Sequence, residues 1–128
     1  MSGPFVFVGN WSIKEGKVEE AKKLLAEHAE SIEANEPRLI SFNFYIDQEA
    51  RQVASVQVHP DTESMEFHME LLSKHLESTG NWLDTVLNEQ YYGYKSAKLT
   101  ELLAPWGGDA VTTNIGTHLA GFTRSSVR

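Results

Sequence analysis

Phe5-Val6-Phe7-Val8-Gly9-Asn10-Trp11 decides how this chain folds. β-Branched and aromatic residues fill the stretch, and as far as Gly9 both alternating sets of positions are apolar. Phe5, Phe7 and Trp11 share one side, while Val6 and Val8 share the other. A strand with this pattern must be covered on both faces. Whatever surrounds it has to supply two apolar layers.

The residues that follow supply one of them. Beyond Gly16, the apolar residues Val18, Ala21, Leu25, Ala29 and Ile32 recur at three- and four-residue steps, which predicts an amphipathic helix. Glu19 and Glu20 suit its first turn, where the helix dipole favours anions. Asn35-Glu36-Pro37 ends it, because the residue before a proline is pushed out of helical geometry. Ile40, Phe42, Phe44 and Ile46 then alternate strictly as a strand. The polar cluster 47–51 separates that strand from Val53 to Val58, so the two pair as an antiparallel hairpin.

His59-Pro60-Asp61-Thr62 breaks the second strand of the hairpin and offers a capping side chain to a second helix, whose stripe is Met65, Met69, Leu72 and Leu76. Trp82, Leu83, Val86 and Leu87 predict a further helical turn or two. Gln90 to Tyr94 reads as a short strand, Ala97 to Leu103 as a short helix stopped by Pro105, and Val111 to Leu119 as a last strand before a frayed tail at 124–128.

The order is β-α-β-β-α followed by a β-α-β extension at about 90–123. We therefore expect a single α+β domain over residues 1–128: a ferredoxin-like antiparallel sheet with its helices on one face. Such a sheet leaves its second face polar in a monomer. Here both faces of the first strand are apolar, and a two-fold copy is the commonest second cover, so a homodimer is expected.

Composition narrows the functions. The chain has 128 residues, 41% of them apolar and 23% charged, as in an ordinary globular domain. It has no cysteine, which excludes disulfides, thiolate metal sites and cysteine nucleophiles and makes a reducing cytoplasm the expected setting. No basic leader or run of about 20 apolar residues is seen, so neither secretion nor membrane insertion is expected. A formal charge of −7 opposes binding to a phosphate backbone, so no nucleic-acid partner is expected. No Gly-rich phosphate loop, serine nucleophile elbow or HExxH spacing occurs, and neither flavin nor metal is expected.

The opening Phe5 to Trp11, the loop with Gly16 and Val18-Glu19-Glu20-Ala21 resemble the start of the antibiotic biosynthesis monooxygenase family. A second match is Val56-Gln57-Val58-His59-Pro60-Asp61, leading into a helix with Phe67-His68-Met69. Gly93, Tyr94 and the closing 119–124 resemble a longer subgroup. The resemblance implies a dimeric α+β barrel with a pocket in each subunit between sheet and helices. It also implies an oxygenation of phenols or quinols that needs no metal or flavin. Haem-degrading relatives share the fold but use a Trp on the second helix, where this chain has Phe67 and His68.

Candidate site residues follow. The resemblance makes Asn10 a functional amide that would hold a substrate oxygen; its ordinary role would be to satisfy backbone groups at a strand end. His68 and His75, seven residues apart, share a side of the second helix at the margin of its apolar stripe, and His28 lies on the inner edge of the first helix. A neutral His can take the proton of a phenol, so His68 is the candidate base; hydrogen-bonded edge residues are the plainer reading of all three. Trp11, Tyr45, Trp82, Tyr92 and Tyr94 would suit a flat aromatic ligand, or equally a core or dimer contact. The leading expectation is a monooxygenase acting on a small aromatic molecule without a cofactor. The alternative is a non-catalytic dimeric barrel that binds a hydrophobic ligand or a protein.

Overall fold

The first strand, β1 (Phe5–Ile13), lies at the centre of a five-stranded sheet in the computed structural model, which describes residues 3–74, 80–106 and 111–124. The other elements are α1 (Val18–Asn35), β2 (Ser41–Asp47), β3 (Gln52–His59), α2 (Thr62–Ser73), β4 (Leu83–Tyr92), α3 (Ala97–Leu103) and β5 (Val111–Ile115). The strand order is β2-β3-β1-β4-β5. The first four strands pair antiparallel in the ferredoxin-like arrangement, and β5 adds to β4 in parallel.

Local chemistry sets the boundaries. The Glu36 amide still bonds the Ile32 carbonyl at 2.9 Å, but Pro37 prevents another helical turn and the Glu36 backbone swings to φ −128°, ψ 76°. At the start of α2 the Asp61 side chain accepts from the Ser64 amide at 2.9 Å, satisfying one of the four orphan donors of a helix N-terminus. In the β2–β3 turn Asp47 Oδ1 accepts from the Ala50 amide at 3.0 Å, and Arg51 closes the turn at φ 54°.

Two predicted elements need correction. Trp82 to Leu87 is not helical: Leu83 onward belongs to β4, which runs to Tyr92. Against β1, Asn10 pairs with Asn88 but Trp11 pairs with Val86, and Ser12 pairs with Thr85 but Ile13 pairs with Leu83. Leu87 and Asp84 are therefore extra residues, two bulges that break the alternation of the strand. Apolar residues at 82, 83, 86 and 87 mimic a helical repeat for that reason. The last strand is also shorter than its composition predicts, ending at Ile115 opposite Tyr92, where β4 stops and the Gly93 amide makes a closing bond to the Ile115 carbonyl at 2.9 Å.

The core is divided. One cluster joins Phe5, Phe7 and Tyr91 of the sheet to Met65 and Met69 of α2 and to Leu99 and Leu103 of α3. A second gathers Ile13, Ala21, Val53 and Trp82 beneath α1. Trp11 packs against both, so the helix-facing surface of the sheet holds two packed ends with a gap between them. On the opposite face, Val6 and Val8 of β1 and Ala54, Val56 and Val58 of β3 are half-buried, with no helix above them. No described helix is long and apolar enough to cross a membrane.

Candidate functional site

The gap between the two core clusters is a cavity of about 430 Å³. Its size lies within the usual range of about 300–1,000 Å³ for small-molecule sites. Its walls are largely apolar: Leu24 and Leu25 from α1, Phe42 and Phe44 from β2, Met65, Met69 and Leu72 from α2, and Leu103 at the end of α3. The floor is the helix-facing side of the sheet. There the register aligns Ser55, Gly9 and Glu89 in one row across three strands. Gly9 has no side chain in the middle of that row, and a Cβ on it would lie 2.7 Å from Phe7 Cζ and 2.9 Å from Trp11 Cζ2. The missing side chain lets both rings settle onto the sheet.

His68 stands in the cavity wall, 2% exposed, and both carboxyl oxygens of Glu36 reach its Nδ1, at 3.1 and 2.9 Å. Glu36 itself is 4% exposed. A carboxylate only accepts, so Nδ1 donates to it, and in the neutral ring Nε2 is left as an acceptor. No described protein group hydrogen-bonds Nε2. Glu36 thus fixes the tautomer of a histidine whose other nitrogen is available to whatever occupies the cavity. His68 is deeper than its place at the margin of the helical stripe suggests, because Phe42 of β2 covers its ring at 5.6 Å.

A second buried histidine lies behind it. His59 is 0% exposed, its ring 5.9 Å from that of His68, and it is held between Ser64 Oγ at 2.7 Å and Gln57 Oε1 at 3.0 Å. With Gln57 accepting from Nε2 and the Ser64 hydroxyl donating to Nδ1, the neutral ring satisfies every bond. Burial, reinforced by the neighbouring His68, pushes the His59 pKa down to about 3. It remains neutral at ordinary pH and does not line the cavity. Tyr91, on the floor, donates to Glu89 at 2.8 Å; burial first and the Glu89 charge second hold its hydroxyl well above the usual tyrosine range. Tyr91 is therefore a donor here and not a base.

The predicted site residues separate into groups. His68, His28, Trp11 and Trp82 all line the cavity, with the His28 ring 5.8 Å from that of Phe42. Asn10 does not join them: it faces the helix-free side of the sheet and donates its amide to Asn88 Oδ1 at 2.8 Å. Tyr92 shares that side and donates to Gln90 Oε1 at 3.2 Å. Tyr45 is 59% exposed beside a smaller hollow between β2 and α1. Tyr94 lies past the end of β4 and is largely exposed. His75 lies outside the described residues. Among the described residues no three His, Asp or Glu side chains are gathered where they could hold a metal ion.

Glu36, Ser55, Gln57, Asn81, Glu89, Tyr91 and Trp106 are polar groups in or beside the cavity that the sequence did not single out. Glu36 could have been found only by asking what a carboxyl at a proline-terminated helix end does, since α1 carries several other Glu residues that face water. Ser55, Gln57 and Glu89 fall on the inner positions of strands, where a polar residue is itself a signal.

With this geometry the chain can be set beside known proteins. No family model and no curated protein matches the sequence. Solved structures do match. MupZ from Pseudomonas fluorescens superposes with a TM-score of 0.66 at 15% identity, over 94% of this chain and 91% of that one. A protein from Bacteroides thetaiotaomicron provisionally assigned as an antibiotic biosynthesis monooxygenase gives 0.57 at 18% identity, over 66% and 83%. One from Nitrosomonas europaea, assigned in the same way, gives 0.56 at 15% identity, over 71% and 88%. The chain has the fold of the antibiotic biosynthesis monooxygenases. The monooxygenase-like proteins match about 70% of it, whereas the match to MupZ takes in nearly all of it and so includes most of the extension after β4. At these identities the likeness is one of fold.

Proposed function

We propose that the cavity binds a flat, weakly polar aromatic molecule and that His68, held by Glu36, takes a phenolic proton from it to begin an oxygenation. The observation that carries this reading is the buried His68–Glu36 pair at the cavity wall, with Nε2 uncommitted. Dioxygen attacks an electron-rich phenolate far more readily than a neutral phenol, so a positioned base is the first requirement. The balanced outcome is a hydroxyarene plus dioxygen giving a quinone and water: one oxygen atom enters the ring and the other leaves as water. Phe42, Phe44, Trp11 and Trp82 suit a planar ring, and the low polarity of the walls favours reaction of a bare anion. The fold it shares with monooxygenase-assigned proteins supports the same reading.

Asn10 bears on the second reading, a non-catalytic binder. Its place on the other face of the sheet removes one candidate for holding an oxygen fragment. Oxygen uptake by the purified protein with phenols and hydroquinones tests between the two. Uptake that depends on His68 supports the enzyme. Saturable binding without uptake supports the binder.

A further inference from the structure

Two polar groups in the cavity wall have no hydrogen-bond partner: the hydroxyl of Ser55 and the indole Nε1–H of Trp106. Both atoms are buried, and Ser55 as a whole is 0% exposed. A buried donor left unpaired is destabilising, and folded proteins leave few such groups. Both residues line one cavity, so a molecule that enters it and displaces the side chains covering these two atoms would satisfy both.

Their chemistry restricts the visitor. An indole N–H can only donate, so Trp106 requires an acceptor, and a serine hydroxyl can donate or accept. Ser55 sits on β3 beside Gly9, two strands from Glu89. At a strand spacing of about 4.8 Å the Ser55 and Glu89 backbones are roughly 10 Å apart. Glu89 already accepts from Tyr91, and its negative charge disfavours an anionic group at that end of the floor. Trp106 comes from a different part of the chain. It follows α3, bonded through its own amide to the Leu103 carbonyl at 3.0 Å, and its ring packs against the cluster of Phe7, Met65 and Leu103. The extension beyond β4 therefore contributes a wall of the cavity and a hydrogen-bond donor in it.

We infer that Trp106 Nε1 and Ser55 Oγ are ligand-recognition groups, and that the extension beyond β4, through Trp106, is the specificity element of the site, selecting an uncharged aromatic that carries a ring-bound acceptor oxygen over one of the same shape without it. The inference rests on the cavity being a ligand site, as proposed above, but not on any turnover.

The test compares two probes of nearly equal shape, 1,4-naphthoquinone and 1,4-dimethylnaphthalene, by calorimetry or equilibrium dialysis without a reducing substrate. The chain has no cysteine, so thiol addition to the quinone cannot imitate binding. Wild-type protein should prefer the quinone. Trp106→Phe and Ser55→Ala, checked by thermal melts to be folded, should each weaken quinone binding about five- to tenfold, the usual loss for one hydrogen bond, while changing the hydrocarbon by less than about twofold. If both probes lose affinity in parallel, or the quinone loses none, the recognition role is overturned while the cavity survives as a binding site. If neither probe binds wild-type protein, the ligand-site reading falls together with this one.

Discussion

Glu36 and His68 stand 32 positions apart in the chain and meet through two contacts of 3.1 and 2.9 Å, both nearly removed from solvent. The proline that stops α1 turns the Glu36 backbone out of the helix, and α2 brings the histidine to it. Deleting the histidine leaves the Glu36 carboxylate buried without its donor, which typically costs about 3–5 kcal/mol. His68→Ala should therefore lower both turnover and stability. His68→Gln separates the two effects, because its amide can still donate to Glu36 while offering no basic nitrogen. Oxygen uptake with the best phenol should fall about 10²–10⁴-fold in His68→Gln, with a melting temperature within a few degrees of wild type. Full turnover in that variant would rule out His68 as the base.

Glu36→Gln tests the tautomer. A glutamine can donate to Nδ1, which moves the ring proton onto Nε2, the nitrogen that has to accept. Turnover should drop by at least about tenfold, with a smaller change in substrate affinity. Equal kcat in the two proteins would mean that the Glu36 charge is not required, the glutamine oxygen accepting from Nδ1 in its place.

Stability should depend on pH through His59. In the unfolded chain this group titrates near 6.5, and in the folded chain near 3, so between those values the unfolded state binds the extra proton. Stability is therefore lost as pH falls through that window, at up to about 1.4 kcal/mol per pH unit from this residue alone. Urea titrations at pH 6, 5 and 4 should show a shallower loss in His59→Gln than in wild type. Parallel curves would show that His59 does not carry the effect.

Gly9→Ala places a methyl group against the rings of Phe7 and Trp11 at distances no packed pair accepts. Phe7 is packed in the core and Trp11 against it, so both rings must shift to make room, and the change should destabilise by about 1–3 kcal/mol, as overpacking does. A chemical-denaturation midpoint equal to that of wild type would contradict this.

The helix-free sheet face predicts self-association. Val8 and Val56 lie opposite each other there, half-buried, with Val6 and Val58 beside them. A stable pair needs about 800 Å² from each partner, and a second copy of the same face would supply it. Sedimentation should give a dimer for wild type and a monomer for Val56→Glu. A wild-type monomer at micromolar concentration would remove the barrel.

Most of the fold could be read from the sequence because its periods are clean. Ile40 to Ile46 alternates without interruption, and Pro37 and Asp61 mark helix ends by mechanisms local to the chain. The reading fails at Trp82 to Leu87, where two bulges shift the phase and only the neighbouring strand reveals which period is in force. The site was half legible. Helix faces carried His28 and His68 into the cavity, and strand alternation carried Trp11 there. Asn10 was misplaced relative to them because its significance came from likeness, whereas the parity of its position on β1 sends it to the other side of the sheet. Glu36 and Trp106 reach the cavity through tertiary packing of chain ends and turns, for which no periodicity exists.

The fifth strand has a consequence that follows from handedness alone. β5 runs parallel to β4, so the chain must cross from one end of the sheet to the other between them, and such crossovers are right-handed in nearly all proteins. The connection from β3 to β4 advances in the same direction along the sheet, so a right-handed crossing from β4 to β5 has to pass over the same face. Adding a parallel strand at this edge carries its connection over the chamber beneath the helices. A lineage that gained or lost this strand would have changed in one step the inner surface that a small molecule meets.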